Sequence, residues 1–421
     1  MNSFESDIGD GIIPDKLPMH SAQSQAKLIP SPWHKVRKQY IRKNQWNLLV
    51  SRSIKRNWRH LKKLSELPGL DTSTMQARDT LNCLVIPGDH LLDVRSLVNA
   101  ISPHDRIIRY LGFNKSHGSN DKDTAIHIAN NSVTSLPGIV TDSQVVRDSF
   151  EAIANTTSQA YRYLKTYGPY HVVNLDMCNS MFPNKVATVS SCYKALKELL
   201  TYQFATQSMP WILFITTMVE PGAMDEDGMR NLCKPTRENL DEYVAFANEM
   251  ATLVPRDAWG IDAANTVNLS GLSEEQLISL FGVAFGKWLL HLGQTASPKW
   301  SIRMRPSFRY SINGDKGAVM LSLAFEMTPN FGPPIDSSGM TNSPSPVKTF
   351  PSEEQCAIRL AKSVAAINGH DVDFLLSQKP NINAQLRDEA ADLMESAGFD
   401  RPSYLAWVNS GEPGAQENFV Q

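Results

Sequence analysis

The stretch LNCLVIPG, residues 81–88, is a short and largely apolar run that stops at Pro87-Gly88. A shorter run at 138–141 stops at Asp142. Three more runs of the same kind lie along the chain: RIIRYL (106–111), HVVNL (171–175) and WILFI (211–215). Such runs, bounded by turn residues, are typical of strands buried on both faces in a parallel sheet between helix layers.

Segments with helical periodicity separate these runs. Apolar residues recur at intervals of three and four over 91–100, 145–167 and 186–204, which predicts a helix in each segment. The pattern stays helical through about 220–295, where Ser273 and Gln276 have capping-box spacing. The chain is therefore predicted to alternate strands with helices, as in an α/β fold.

The period changes to two near residue 300. Apolar and polar residues alternate there, Asn313-Gly314 marks a tight turn, and an apolar run returns to residue 327. This pattern predicts an antiparallel hairpin over 300–327 with Phe308, Tyr310 and Ile312 on one face. The whole domain is thus predicted to be a mostly parallel sheet that a C-terminal hairpin closes.

The chain divides into five predicted parts. They are a flexible tail (1–30), a basic helical segment (31–68), the α/β domain (78–328) with a helical insert at about 220–295, a Pro/Ser-rich linker (329–351) and a small helical module (352–410). A helical module of this size is a candidate site for a protein partner.

Composition narrows the class of protein. The chain has 421 residues, of which 42% are apolar and 20% charged, which is typical of soluble globular proteins. It has no apolar stretch long enough to span a membrane and no secretory signal. Five scattered cysteines without a C-x-x-C pair predict a reducing, cytoplasmic location. There is no P-loop, H-E-x-x-H or G-x-S-x-G motif, and no metal site is predicted.

Charge is unevenly distributed. Residues 1–65 hold 13 Lys and Arg but only four acids, and no acid lies between Asp15 and Glu66. Apolar residues Trp46, Val50, Ile54 and Trp58 form one helical face. One interpretation is a nucleic-acid or other polyanion contact through phosphates. The predicted contacts are Lys35, Arg37, Lys38, Arg42, Lys43, Lys55, Arg56, Arg59, Lys62 and Lys63. The alternative is an amphipathic arm that docks on the acidic body of its own chain.

Polar residues follow the predicted strands. Pro87, Gly88 and Asp89 follow the first strand, Asn114 the second and Asp142 the third, while Asn174 and Asp176 end the fourth. Open α/β sheets bind ligands at the carboxyl ends of their strands. Each residue also has a structural interpretation: Gly88 as a turn, Asp89 and Asp142 as helix N-caps, and Asn114 as an ordinary loop residue. Asp176 is expected to face a pocket within reach of Gly88.

Over roughly residues 78–328, this order of elements resembles the class I S-adenosylmethionine-dependent methyltransferases, which have a Rossmann-like fold. The resemblance implies that Pro87, Gly88, Asp89, Asn114 and Asp142 hold S-adenosylmethionine. It also implies that Asn174 and Asp176 lie at the catalytic or acceptor side. The chain departs from the family pattern in three places. The first loop has one glycine instead of E/D-x-G-x-G-x-G, the second strand lacks a terminal carboxylate, and Asn-Leu-Asp replaces N/D-P-P-Y/F.

Two functions are therefore expected. The first is a cytoplasmic methyltransferase-like protein that uses S-adenosylmethionine and acts on, or is bound to, nucleic acid. The alternative is a non-catalytic Rossmann-like binding or scaffold subunit of a complex, for instance in a bacterial anti-phage defence system. The single glycine and the missing carboxylate favour the second.

Overall fold

The computed structural model describes most of the chain. The described residues are 34–57, 80–115, 120–177, 179–181, 190–221, 224, 226–260, 267–269, 271–312, 319–331 and 351–412. The strands are β1 (Thr80–Val85), β2 (Ile107–Phe113), β3 (Gln144–Val146), β4 (Val172–Asp176), β5 (Trp211–Val219), β6 (Lys299–Ser311) and β7 (Val319–Asn330).

Helices lie before, between and after these strands. The first three are α1 (Val36–Ile41), α2 (Leu48–Asn57) and α3 (Leu92–Ile101). The middle of the chain has α4 (Asn120–Thr134), α5 (Gln159–Tyr167), α6 (Ser190–Thr206), α7 (Glu226–Glu242), α8 (Val244–Ala251) and α9 (Glu274–Thr295). The last four are α10 (Glu353–Ala365), α11 (Val372–Gln378), α12 (Pro380–Ser396) and α13 (Arg401–Asn409).

The seven strands form one mixed sheet in the order β3-β2-β1-β4-β5-β7-β6. Strands β1 to β5 are parallel, whereas β7 runs antiparallel to both β5 and β6. The predicted α/β class, with a mostly parallel sheet and a C-terminal antiparallel hairpin, is confirmed. The strand order reverses direction between β1 and β4, which neighbour each other although two strands separate them in sequence.

The hairpin contains a bulge that the alternation does not show. Phe308, Tyr310 and Ile312 are buried in one cluster, as predicted. Met304 has the same parity in sequence but belongs to the opposite cluster. The register shifts between Arg305 and Phe308, and a one-residue bulge reverses which face each later side chain occupies. The predicted turn at 313–314 lies outside the described residues.

The sheet is covered on both faces. We call one side the insert face, because α7 and α9 of the predicted helical insert pack on it, together with α6. The other is the N-terminal face, covered by α1, α2, α3 and α11 to α13. Each face buries a continuous apolar cluster, which explains why the central strands are nearly all apolar.

The N-terminal helix is continuous from residue 36 to 57. A π-helical turn at Arg42–Asn47 joins α1 to α2. Trp46, Val50 and Ile54 are buried against the N-terminal face, so the predicted apolar stripe is confirmed there. Trp58 lies outside the described residues. Arg42, Gln45 and Trp46, spaced three and four residues apart, share one helix face and are buried.

The C-terminal helices pack on both faces of the sheet. Helix α10 joins the cluster of the insert face, while α11 to α13 join that of the N-terminal face. The chain crosses from one to the other beside the edge strand β6, where the Arg309 amide donates to the His370 carbonyl at 3.2 Å. These helices therefore complete both cores and cover part of the sheet edge.

Helix α9 is the one described helix long and apolar enough to cross a membrane, with a mean hydropathy of 1.2. However, 83% of its most apolar 18-residue stretch is buried inside the protein. Such burial is that of the core helix of a soluble protein, consistent with the expectation that no segment spans a membrane. The four described cysteines are all free thiols.

We predict that Gly286→Val will destabilise the contact between α9 and α10. A Cβ at Gly286 would overlap the buried Leu360 side chain, and a Cβ at Gly282 would lie 3.1 Å from Val364 Cγ1. Overpacking of this kind costs about 1–3 kcal/mol. Urea unfolding measures the loss, and Gly369→Ala is the control because nothing lies within 4 Å of its added Cβ. Equal stability of Gly286→Val and wild type would contradict this packing.

Candidate functional site

Hydrogen bonds link the loops after β1 and β2 to each other, and the loop after β1 to β4, at the carboxyl edge of the sheet. The Asn114 side-chain amide donates to the Pro87 carbonyl at 2.9 Å. The Ile86 amide donates to the Asn174 carbonyl at 3.1 Å. Pro87, Gly88 and Asn114 therefore lie together, as the sequence predicted for neighbouring strand ends.

The loop after β1 is tightly wound. Leu91 has φ of +51°, a left-handed conformation that costs energy for a branched, bulky residue. Its amide donates to the Gly88 carbonyl at 3.0 Å. Leu91, not Asp89, is the N-cap of α3, so the capping interpretation of Asp89 is wrong. Within the loop, the His90 ring contacts Phe399 edge-on, with 4.7 Å between the ring centroids.

The third strand lies later in sequence than predicted. The run at 138–141 makes only an isolated bridge from Ile139 to Ile108, and β3 begins at Gln144. Asp142 therefore precedes β3 and lies away from the carboxyl edge. It forms a bidentate ion pair with Arg109 at 2.6–3.0 Å. The predicted position of Asp142 after the third strand is wrong.

Asp148 takes the position that the sequence analysis gave to Asp142. It follows the end of β3 by two residues, and the Asn114 amide donates to the carbonyl of the last β3 residue, Val146, at 3.2 Å. The Asp148 side chain is half-buried and accepts from the Ser149 amide at 2.8 Å. Sequence analysis missed it because the three-residue β3 was read as the start of a helix at 145–167.

Asp176 is enclosed in a buried ion pair instead of facing a pocket. Lys38 Nζ contacts Asp176 Oδ1, and the two side chains are only 5% and 2% exposed. Lys38 Nζ also lies 3.3 Å from the Tyr310 hydroxyl and 4.7 Å from the Trp46 ring centroid. Burial disfavours the Lys38 ammonium, but Asp176, Tyr310 and Asp93 together outweigh burial and raise the pKa of Lys38 above its usual value. The expectation of an open pocket at Asp176 is wrong.

Asn174 is enclosed as well. It is 7% exposed and lines a cavity of about 20 Å³ together with Trp46, Asp93 and apolar residues of β1 and β5. That volume holds about one water molecule, whereas ligand pockets are usually ~300 Å³ or larger. Asn174 therefore lies beneath the N-terminal helix and not at an open catalytic position.

Much of the basic segment docks on its own chain. Lys35, Lys38 and Arg42 are each at most 5% exposed, so they cannot reach the phosphates that the sequence assigned to them. Lys35 Nζ donates to the Ile312 carbonyl, and Arg42 Nε pairs with Asp93 at 2.7 Å. For these three residues the alternative, an arm on its own body, is the correct one.

The remaining basic residues fall into three groups. Arg37 pairs with Asp373 at 3.3 Å, and Lys43 pairs with Glu389, both at partly exposed positions. Lys55 and Arg56 are exposed near the end of α2. The predicted contacts Arg59, Lys62 and Lys63 lie outside the described residues.

Comparison with known proteins gives a family but no function. A family model described as PP_RS20740-like matches residues 29–409 of the chain. No curated protein matches it. Within the described ranges, no group of three or more His, Cys, Asp or Glu residues could hold a metal ion.

We expect Lys38→Met to destabilise the protein by about 3–5 kcal/mol, because it leaves the Asp176 charge buried without its partner. The matched control is Lys43→Met, since the Lys43–Glu389 pair is about one-third exposed and should be worth less than ~1 kcal/mol. Adding Asp176→Leu to Lys38→Met should restore much of the loss. Denaturant unfolding of the four proteins tests this, and equal losses for the two single variants would contradict a buried pair.

Stability is also expected to fall in acid through His34. Burial first, then the nearby His90 and Arg42 charges, lowers the pKa of His34 from 6.5 to about 3. The unfolded chain therefore binds a proton at His34 near pH 6.5, whereas the native protein does so only near pH 3. The free energy of unfolding consequently decreases as the pH falls from about 6.5 toward about 3.

The variant His34→Gln should reduce the slope of unfolding free energy against pH by up to about 1.4 kcal/mol per pH unit between pH 6 and 4.5. Urea unfolding at a series of pH values measures this slope. His291→Gln, at an exposed position on α9, should leave the slope unchanged. An unchanged slope in His34→Gln would show that His34 is protonated in the native protein.

Proposed function

The chain belongs to the PP_RS20740-like family, and we propose that it is a soluble methyltransferase-type protein that binds S-adenosylmethionine at the ends of β1, β2 and β3. The observation that carries this proposal is the strand order β3-β2-β1-β4-β5-β7-β6, with β7 antiparallel to its neighbours. A mostly parallel sheet whose last two strands form an antiparallel hairpin is what the resemblance to class I methyltransferases implies.

The topology supports a ligand site at this edge. Helix α3, which follows β1, packs on the N-terminal face, whereas α6, which follows β4, packs on the insert face. The two connections therefore leave the sheet toward opposite faces. Ligands of open α/β sheets bind at such a switch in strand order.

The residues at three strand ends suit an adenosine-type ligand. Gly88 permits close approach of the backbone to the ligand. Asn114 can donate to Pro87 through Nδ2 while its Oδ1 accepts from a ribose hydroxyl. Asp148 supplies a carboxylate that can accept from an adenine amino group, at the strand end where the resemblance placed Asp142.

The fourth strand end supports a more limited role. Asp176 is held by Lys38 and Asn174 is enclosed, so neither is placed to act on an acceptor. Any transfer would then depend on positioning of the methyl carbon and the acceptor, not on a base at this strand end. The same buried pair favours a second candidate, a non-catalytic binding or scaffold subunit of a complex.

Isothermal titration with S-adenosylmethionine, paired with thermal melts, tests the proposal. At 100 times its dissociation constant, the ligand should stabilise the protein by about 2.7 kcal/mol. Asp148→Ala should weaken binding by about 10-fold or more, because a hydrogen bond to a charged group is worth about 1.5–3 kcal/mol.

Asp142→Ala is the matched control, since it removes a carboxylate at the other end of β3 and should leave the affinity unchanged. Absence of binding to wild type would reject the donor site and leave the scaffold candidate. Equal weakening by both substitutions would reject Asp148 as the adenine contact.

A further inference from the structure

Four arginines converge where α2 meets the edge strand β6. Arg52 and Arg56 lie one turn apart on α2, so they share a helix face. Arg303 and Arg305 lie two residues apart on β6, so they share a sheet face. We call these four residues the arginine patch.

The bulge in β6 explains why the strand presents arginines to α2. Before the bulge, Ile302 and Met304 join the cluster of the insert face, which turns Arg303 and Arg305 toward the N-terminal face. After the bulge, Phe308 and Tyr310 occupy the N-terminal face instead. The N-terminal helix therefore covers aromatic residues along its first half and meets charged ones near its end.

One carboxylate pairs with two of the four arginines. Glu326, on β7, pairs with Arg56 through Oε1 and with Arg305 Nε at 3.2 Å through Oε2. Arg303 lies directly opposite Glu326 in the β6–β7 register. The Glu326 side chain is 9% exposed, whereas that of Arg56 is 50% exposed. The acid thus lies beneath the arginines, and the positive charge faces solvent.

The free protein holds these arginines against their mutual repulsion. Burial and then the neighbouring Arg303 charge lower the pKa of Arg56. Burial and then the charges of Arg56, Arg303 and Arg52 lower the pKa of Arg305. Like charges one turn apart on a helix, or close together across a sheet surface, are destabilising. An anion bound over the patch would relieve that repulsion.

Protection of the sheet edge accounts for only part of this arrangement. Charges on an end strand prevent pairing with another chain, which is a sufficient reason for Arg303 and Arg305. It gives no reason for Arg52 and Arg56, which lie on a helix. A later part of β6 is already covered by the segment around Asp371, which bridges to Arg309.

We infer that the arginine patch binds the phosphate backbone of a nucleic acid strand. Arginine presents a planar fork of donors that fits phosphate oxygens in pairs. Here four arginines lie on one helix and one strand, and Glu326 holds two of them. Contacts of this kind position the backbone and do not read sequence. Anionic phospholipid headgroups carry phosphates as well, so vesicles of anionic lipid are one arm of the test. This inference is independent of the proposed donor site.

The test measures binding of the full chain to labelled 20-nucleotide DNA of mixed sequence, single-stranded and duplex, between 50 and 200 mM salt. The variant Arg52→Gln/Arg303→Gln removes two exposed charges and keeps the pairs of Glu326. Each lost phosphate contact should flatten the salt dependence by about 0.9 on duplex DNA, so the slope of log affinity against log salt should fall by up to about 1.8.

The matched control is Lys194→Gln/Lys197→Gln on α6, which makes the same charge change on the insert face. It should keep the wild-type slope, and thermal melts should show that both variants fold like wild type. No binding by wild type at 50 mM salt, or the same slope for both double variants, would overturn the inference. So would binding to phosphatidylserine vesicles without binding to either DNA.

Discussion

The buried contact between Lys38 and Asp176 connects the N-terminal helix to the end of a central strand. Both charges are almost completely removed from water, and each makes the other tolerable there. Arg42 and Asp93 repeat the arrangement one turn along, between the same helix and α3. Because neither charge can be left behind alone, the helix can leave this face of the sheet only if both pairs separate together.

This constraint divides the basic segment into two parts. In its first half, the basic side chains contact acids and carbonyls of their own chain. The buried stripe of Trp46, Val50 and Ile54 holds the helix in place. Its second half reaches β6, where arginines from the strand outnumber the available acid. The positive charge of the described N-terminal helix therefore divides in two: one part fixes the helix on the sheet, and the other stays exposed near the end of α2.

The same constraint limits where a ligand can bind. With Asp176 and Asn174 enclosed, the proposed ligand site depends on the loops after β1, β2 and β3. Those loops are connected through the Asn114–Pro87 hydrogen bond and are held in shape by the left-handed Leu91. Strained backbone persists only where its surroundings impose it, and it is common near ligand sites. Here Phe399 packs against His90, which belongs to the strained turn.

The sequence by itself determined the features that depend on neighbours along the chain. Four strands, the hairpin and the apolar stripe of the N-terminal helix could be predicted, because burial on one or two faces leaves a period in the sequence. Tertiary structure alone decided the rest. The three residues of β3 are too few to show a period and become a strand by pairing with β2. The bulge at Arg305 leaves the alternation intact while reversing the faces. Lys38 and Asp176 are 138 residues apart, and no local pattern connects a charge to a partner so distant.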